Sequence, residues 1–270
     1  MSGATISNLH MTGTVSGGLH TAGLVAFCSG SSRTSIENCR MSATVTCTGG
    51  TNNDAHGGGF IGNASDSEYA VTDCLFDGKL IATTNGKGDI YVGAIVGWGG
   101  GSTRIVQTTI EKGSFEGVNK DRIAFCLKDN TIYGPSSYAG NYYFSDLGHS
   151  DGAEQLLSVA SGTEGLELNF DYTWEEVYHG AMTKATSSTY TYFTIGDTFY
   201  TVSGGSASFR LTYPTAWNVT GINANGEAVA GNEGSYTVSN ITAATSITAT
   251  YDRIHWTDEG KYATAFSTVS

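Results

Sequence analysis

The acidic residues Glu37, Asp54, Asp66, Glu68, Asp73, Asp77 and Asp89 are the first side chains to test for chemistry. Clustered carboxylates with a cation beside them can cleave or eliminate at a glycosidic bond, because one acid moves the proton while the cation offsets the charge that develops. Asp73 and Asp77 are the closest pair within one stretch of chain, but most of the others fall in turn-like segments. A β-helical polysaccharide lyase or glycosidase, or its carbohydrate-binding part, is therefore the alternative reading, with Asp77→Asn as its control.

Other chemistries find less support. The six histidines, His10, His20, His56, His149, His179 and His255, are scattered and form no HExxH, so no metal site is expected. None of the five cysteines (Cys28, Cys39, Cys47, Cys74, Cys126) sits in a CxxC pair, and an odd number leaves at least one unpaired. They read as small buried hydrophobes. The run 49–54 has the glycine and acid of a calcium turn but occurs once, and Gly86-Lys-Gly-Asp89 lacks phosphate-loop spacing. Gly97-Trp-Gly-Gly-Gly101 has no strand–GxGxxG–helix context, and no serine lies in GxSxG. No catalytic residue, metal or cofactor is expected. A flat threonine face (Thr12, Thr14, Thr44, Thr46, Thr48) would suit ice or mineral, but Asp77 and Lys79 interrupt it. The aromatic side chains Tyr91, Trp98, Tyr142 and Tyr143 remain as binding handles, since each can stack on a sugar ring or a partner's apolar patch.

These residues must be positioned by strands. Glycine is abundant at 37 residues and proline rare at 2, while 39% of residues are hydrophobic. That combination describes a folded chain with many tight turns rather than a disordered linker. The net charge of −12 removes the basic footprint of a nucleic-acid binder and disfavours anionic lipid. No stretch approaches the ~20 apolar residues of a membrane span, and an export signal, if there is one, lies outside this sequence.

Four segments repeat: Ile6–Val15, Ile36–Val45, Val71–Leu80 and Val106–Phe115, their starts 30, 35 and 35 residues apart. Each opens on a β-branched residue, carries a polar residue two positions on (Asn8, Asn38, Asp73, Thr108), and then Leu9, Cys39, Cys74 or Thr109. A second series, Ala22–Ala26, Gly58–Gly62 and Gly93–Gly97, keeps the same beat. One repeat cannot bury its apolar face alone, so stacking like over like is expected, as in a right-handed parallel β-solenoid. Leu9, Cys39 and Cys74 would point inward, the polar column would bond turn backbone, and the small residues Ala26, Gly62 and Gly97 would allow corners.

The segments Gly-Leu-Val-Ala26, Gly-Phe-Ile-Gly62 and Ala-Ile-Val-Gly97, together with Ile-x-Asn-Cys strands, resemble the GLUG-motif repeats of large bacterial surface and secreted proteins, adhesins among them. The resemblance covers about residues 3–145. The first copy ends on Ala26 where the motif has glycine, and Ile123-Ala-Phe-Cys126 has none. Catalytic apparatus in such proteins lies outside the repeats, so the resemblance implies no active site here.

Beyond the repeats, Asp151-Gly-Ala-Glu154 reads as a capping box and Ala153–Ala160 as a short helix covering the stack's end. Alternating strands follow from Tyr190, with turns at Gly204-Gly205, Asn225-Gly226 and Asn232-Glu-Gly234. The segment 234–251, ending Ile-Thr-Ala-Thr-Tyr, resembles short β repeats of bacterial surface proteins. The expected organisation is a β-solenoid over 1–148, a capping helix and connector over 149–180, a small antiparallel β-sandwich-like domain over 181–253, and over 254–270 a lead-in to a further unit. The expected role is a non-catalytic extracellular module at the cell surface. Its partners would be a host or bacterial surface protein, a glycan, or neighbouring repeat units, with no nucleic acid and no membrane insertion.

Overall fold

The computed structural model describes residues 3–49, 54–64, 67–84, 90–100, 103–117, 124–126, 137–145, 147, 150 and 152–253. They form an all-β protein, with no helix among them. The chain divides into two compact units, Met1–Leu156 with Glu176–Met182, and Leu157–Glu175 with Thr183–Ser270.

In the first unit each repeat adds one strand to each of several parallel ladders. Thr5–Ser7, Thr34–Glu37, Tyr69–Thr72, Arg104–Gln107 and Ser137–Ala139 pair in that order, aligning Ile6, Ile36, Val71, Val106 and Tyr138. Ile36, Val71 and Val106 are fully buried. The 35-residue beat is thus one strand spacing in space. A second ladder aligns His10, Arg40, Leu75, Ile110 and Tyr142, and a third aligns Val15, Val45, Leu80 and Phe115. The glycine-rich series forms a fourth sheet in which Val25, Ile61 and Val96 align. Ala124–Cys126 joins it with a register shift, at the copy that lacks glycine.

Each repeat turns a corner at its polar residue. Asn8, Asn38, Asp73 and Thr108 all take left-handed backbone, at φ 57°, 48°, 53° and 50°. Asparagine and aspartate tolerate this region because the short side chain bonds locally, whereas threonine is strained there. The following residue donates into the corner. The thiols of Cys39 and Cys74 reach Glu37 O and Thr72 O at 3.3 and 3.1 Å, and Thr109 Oγ1 donates to Gln107 O at 3.0 Å. The same side chains reach carbonyls one rung back: Cys74 to Ile36 O, Thr109 to Val71 O, and Asn141 Nδ2 to Val106 O at 2.7 Å. The inward column is therefore a column of donors as well as a row of compact side chains. Leu9 departs from it: it is 39% exposed, because its column has a neighbour on one side only among the described residues.

The expected helix at 153–160 is absent. Glu154–Ser161 is a strand, and its first residues extend the second ladder, Glu154 beside Tyr142 and Gln155 beside Tyr143. Leu156 and Val159 are buried at a spacing that also fits a helix face, but the unpaired backbone edge at Tyr142–Tyr143 decides the outcome. Asp151, the expected cap, lies outside the described residues, as do 254–270. The stretch 149–180 holds further strands, Glu167–Phe170 and Glu175–Val177. Within the first unit Tyr178 and His179, both left-handed at φ 52° and 57°, reach the corner column: Tyr178 donates its hydroxyl to Thr108 O at 3.0 Å, and His179 Nε2 lies 3.0 Å from Asn38 O.

The second unit is mainly antiparallel. Glu167–Phe170, Gly205–Thr212, Ser235–Ile241 and Gly231–Asn232 form one sheet, and Trp217–Ala224 pairs with Thr245–Arg253. Its core gathers Val159, Phe199, Ala207, Phe209 and Ile247, with Phe170, Tyr172 and Tyr192 ringed about Phe199. Asn225 and Gly226 turn at φ 48° and 88°, the two positive angles that an Asn-Gly hairpin requires.

Candidate functional site

In the glycine-rich sheet, strand alternation assigns the faces. A Cβ on Gly57 would meet Cys47 Cβ at 3.1 Å, and Val92, aligned with Gly57, belongs to the core. The preceding residues of those strands, His20, His56 and Tyr91, are aligned with one another and lie on the opposite face. A second column stands seven residues further along each repeat, and its members contact the first: Phe27 with His20, Asn63 with His56, Trp98 with Tyr91. Three rungs of two side chains result.

The rings run as a stack. Phe27 lies 5.1 Å from His20, His20 lies 5.2 Å from His56, and His56 lies 5.6 Å from Tyr91, at interplanar angles of 17°, 15° and 19°. Trp98 crosses its end, 4.4 Å from His56 and 5.2 Å from Tyr91. Exposure is graded along the stack. Phe27 is 41% exposed and His20 and Trp98 are half-buried, whereas His56, Asn63 and Tyr91 are buried.

Three polar atoms converge in the middle of the array. His56 Nδ1 lies 3.1 Å from His20 Nδ1 and 3.0 Å from Asn63 Nδ2, which lies 3.4 Å from His20 Nδ1. Burial, and next the adjacent His20, push His56 down to about 4; burial also lowers His20, partly offset by the Leu19 backbone. Burial therefore favours the neutral form of both rings. His56 Nε2 is buried without a hydrogen-bond partner among the described residues.

Of the sequence-selected handles, the fold brings Tyr91 and Trp98 together and leaves Tyr142 and Tyr143 in a different ladder. Tyr91 is buried rather than exposed, and Tyr143 packs against the core, so neither is the free surface ring that the sequence led us to expect. Sequence reasoning dismissed His20 and His56 as scattered. Their separation of 36 residues is nevertheless the repeat length, which was the signal that they share a column.

Of the carboxylates of the alternative reading, Asp77 is tied up by neighbouring side chains. Arg40 Nη2 and Nε hold Asp77 Oδ2 at 2.7 and 3.0 Å, and Ser42 Oγ donates to Asp77 Oδ1. Asp73 is exposed on its corner. Asp66, Asp89, Gly86–Asp89 and most of the 49–54 turn lie outside the described residues. Among the described residues no three His, Cys, Asp or Glu side chains group as a metal site, and all five cysteines are free and buried. The second unit has an open cleft of about 470 Å³ lined by Asn225, Thr237, Asn240 and Thr245, with Glu227 its one titratable group. No family model matches the chain, and no curated protein or solved structure matches it either.

Proposed function

We propose that this chain is a non-catalytic extracellular module of a large bacterial surface protein, of the GLUG-repeat kind. In this reading its repeats form a right-handed β-solenoid stem, followed by a sandwich-like β domain that joins it to the next unit. The stem presents the Phe27–His20–His56–Tyr91–Trp98 stack to a glycan or to an apolar patch on a partner protein. The observation that carries this reading is the two-column array, which recurs rung by rung on the face of the sheet turned away from the core. A stem needs repeats in register, and the aligned Ile36, Val71 and Val106 supply them. A ligand needs reachable ring faces or edges, and Phe27, His20 and Trp98 are the accessible members.

A glycan array probed with the full chain is the test. Binding that Phe27→Ala or Trp98→Ala weakens at least tenfold supports the reading. Silence across the array with no protein ligand competed by those variants refutes the display role.

A further inference from the structure

The first repeat leaves one end of the stack open. Its strands Thr5–Ser7, His10–Met11, Thr14–Gly17, His20–Ala22 and Val25–Phe27 each stand at the end of a sheet. Thr44 N donates to Gly13 O, with Thr14 beside Thr44 and Val15 beside Val45, so Gly13 and Val15 bond towards the second repeat. Alternation then turns the N–H and C=O of Thr14 and Ser16 the other way, where no strand stands among the described residues. We propose that this edge is an interface between two copies of this chain, joined head to head about a two-fold axis, with Thr14–Gly17 of each copy pairing antiparallel with the other.

The side chains at this end are those of an unfinished core. Leu9 heads the inward column of Cys39, Cys74 and Thr109, all buried, yet is 39% exposed. Leu19 precedes His20 as Ala55 precedes His56 and Ile90 precedes Tyr91. Ala55 and Ile90 belong to the core, whereas Leu19 is 45% exposed. Ile6 and Met11 are only partly buried, although Ile36 and Met41, aligned with them, are fully buried. At the far end, by contrast, Glu154 and Gln155 extend the ladder past Tyr142 and Tyr143.

Charge identifies the occupant. Residues 1–32 contain no Asp, Glu, Lys, Arg or Pro, and their only basic side chains are the imidazoles of His10 and His20. Each later repeat segment carries both signs: Glu37 and Arg40, Asp77 and Lys79, Glu111 and Lys112. Lysine, proline and misplaced charges are the devices that keep exposed strand edges apart, and this edge has none of them. A two-fold contact sets each residue against its own kind, so any fixed charge on the edge would face a like charge. With a net charge of −12, copies of this chain repel one another, and the uncharged first repeat is where two can meet without a like-charged pair. Pairing bonds the outward main-chain groups of Thr14 and Ser16 and brings the two apolar layers together. It also uses up the edge, so assembly stops at two copies.

The test is the mass of the full chain in solution, by sedimentation velocity over a dilution series. The wild type should pass from monomer to dimer as concentration rises and go no further. Ser16 is exposed on the edge strand, so Ser16→Lys sets like charges across the two-fold axis and should raise the dissociation constant at least tenfold. Ser114→Lys, exposed on the same sheet and three rungs from Thr14, should leave it unchanged. Ser16→Glu alone should weaken the dimer as Ser16→Lys does, and an equimolar mixture of the two variants should restore it, which separates lost pairing from lost folding. The proposal is overturned if the wild type stays monomeric or assembles beyond two copies, if Ser16→Lys dimerises as well as the wild type, or if the mixture restores nothing. The measurement needs no ligand, so this proposal and the display role fail separately.

Discussion

Asn38 donates its side-chain amide to Asn8 Oδ1 at 2.8 Å while both residues hold left-handed backbone, one directly above the other in the ladder. Backbone bonds make the corner a repeating unit, since Asn8, Asn38, Asp73 and Thr108 each donate N–H to a carbonyl of the next rung, at Glu37, Thr72, Gln107 and Ala139. Thr108 occupies the same place at φ 50° with a β-branched side chain. A left-handed residue that is neither glycine nor asparagine costs roughly 1–2 kcal/mol. Thr108→Asn should relieve this and stabilise the first unit by about 1 kcal/mol. Its backbone N–H and C=O keep their bonds to Ala139 O and the Tyr178 hydroxyl. A urea midpoint that stays put or falls would show that the threonine is held there without strain.

The residue after the corner makes a sharper test. Thr109 is fully buried, and its hydroxyl is within reach of Val71 O and Gln107 O. Valine has the same shape without the donor. Thr109→Val should cost about 1–3 kcal/mol, the penalty for leaving a buried carbonyl short of a partner. Thr109→Cys should cost less, because Cys39 and Cys74 fill that role in the neighbouring rungs. Equal losses for both variants would mean that volume alone matters at this position.

What could be read in advance follows from where the decisive interactions lie. Ile36, Val71 and Val106 were legible because a stacked repeat writes its own contacts into the sequence at a fixed interval. The strand at Glu154–Ser161 was not, since its conformation is imposed by the open edge at Tyr142–Tyr143, which no local pattern encodes. Tyr91 and Trp98 were legible as aromatics but not as partners. Their contact, and the histidines beside them, depend on two columns seven residues apart meeting on one face. The donor role of Cys39 and Cys74 was hidden because cysteine reads first as a small hydrophobe. Thr109 and Asn141, the polar replacements, carried the clue.

Close backbone approach, rather than positive φ, explains the glycines of the fourth sheet. A Cβ on Gly97 would stand 2.2 Å from Gly57 O and 2.7 Å from Gly62 O, against main chain that cannot move aside. At Gly57 the nearest atom would be Cys47 Cβ at 3.1 Å, a tight contact that a shift of a few tenths of an ångström relieves, and no main-chain atom is among the nearest. Gly97→Ala should therefore destabilise the first unit by ~3 kcal/mol or more, whereas Gly57→Ala should cost ~1 kcal/mol. Thermal melts of the two variants decide it, and similar losses would refute the backbone-contact explanation.

Glu111 gives the pH dependence its shape. Its side chain is fully buried, with Gly113 N, Ser145 N and Ser145 Oγ as hydrogen-bond donors. Burial pushes its carboxyl up to about 7, although the bonds from Ser145 and Gly113 pull the other way. Because the folded state keeps a proton that the unfolded chain releases near 4.5, this stability is complete below about pH 4.5. It is lost as pH rises through 7, by at most about 3 kcal/mol. His56 acts in the opposite sense. Held down to about 4, it refuses a proton that the unfolded chain accepts near 6.5, so its contribution is present above 6.5 and lost as pH falls through 4. Between about 4.5 and 6.5 the two slopes oppose each other, and the first unit should show little net dependence on pH there. Glu111→Gln removes one of them. The variant should be more stable than the wild type at pH 8 and should lose stability steadily from pH 6.5 to 4.5. Hydrogen exchange at the Lys112 and Phe144 amides, which bond to Phe76 O and Glu111 O beside the carboxylate, reads this locally. Protection at pH 8 that drops in Glu111→Gln would show that the ionised carboxylate is worth more to the fold than its burial costs.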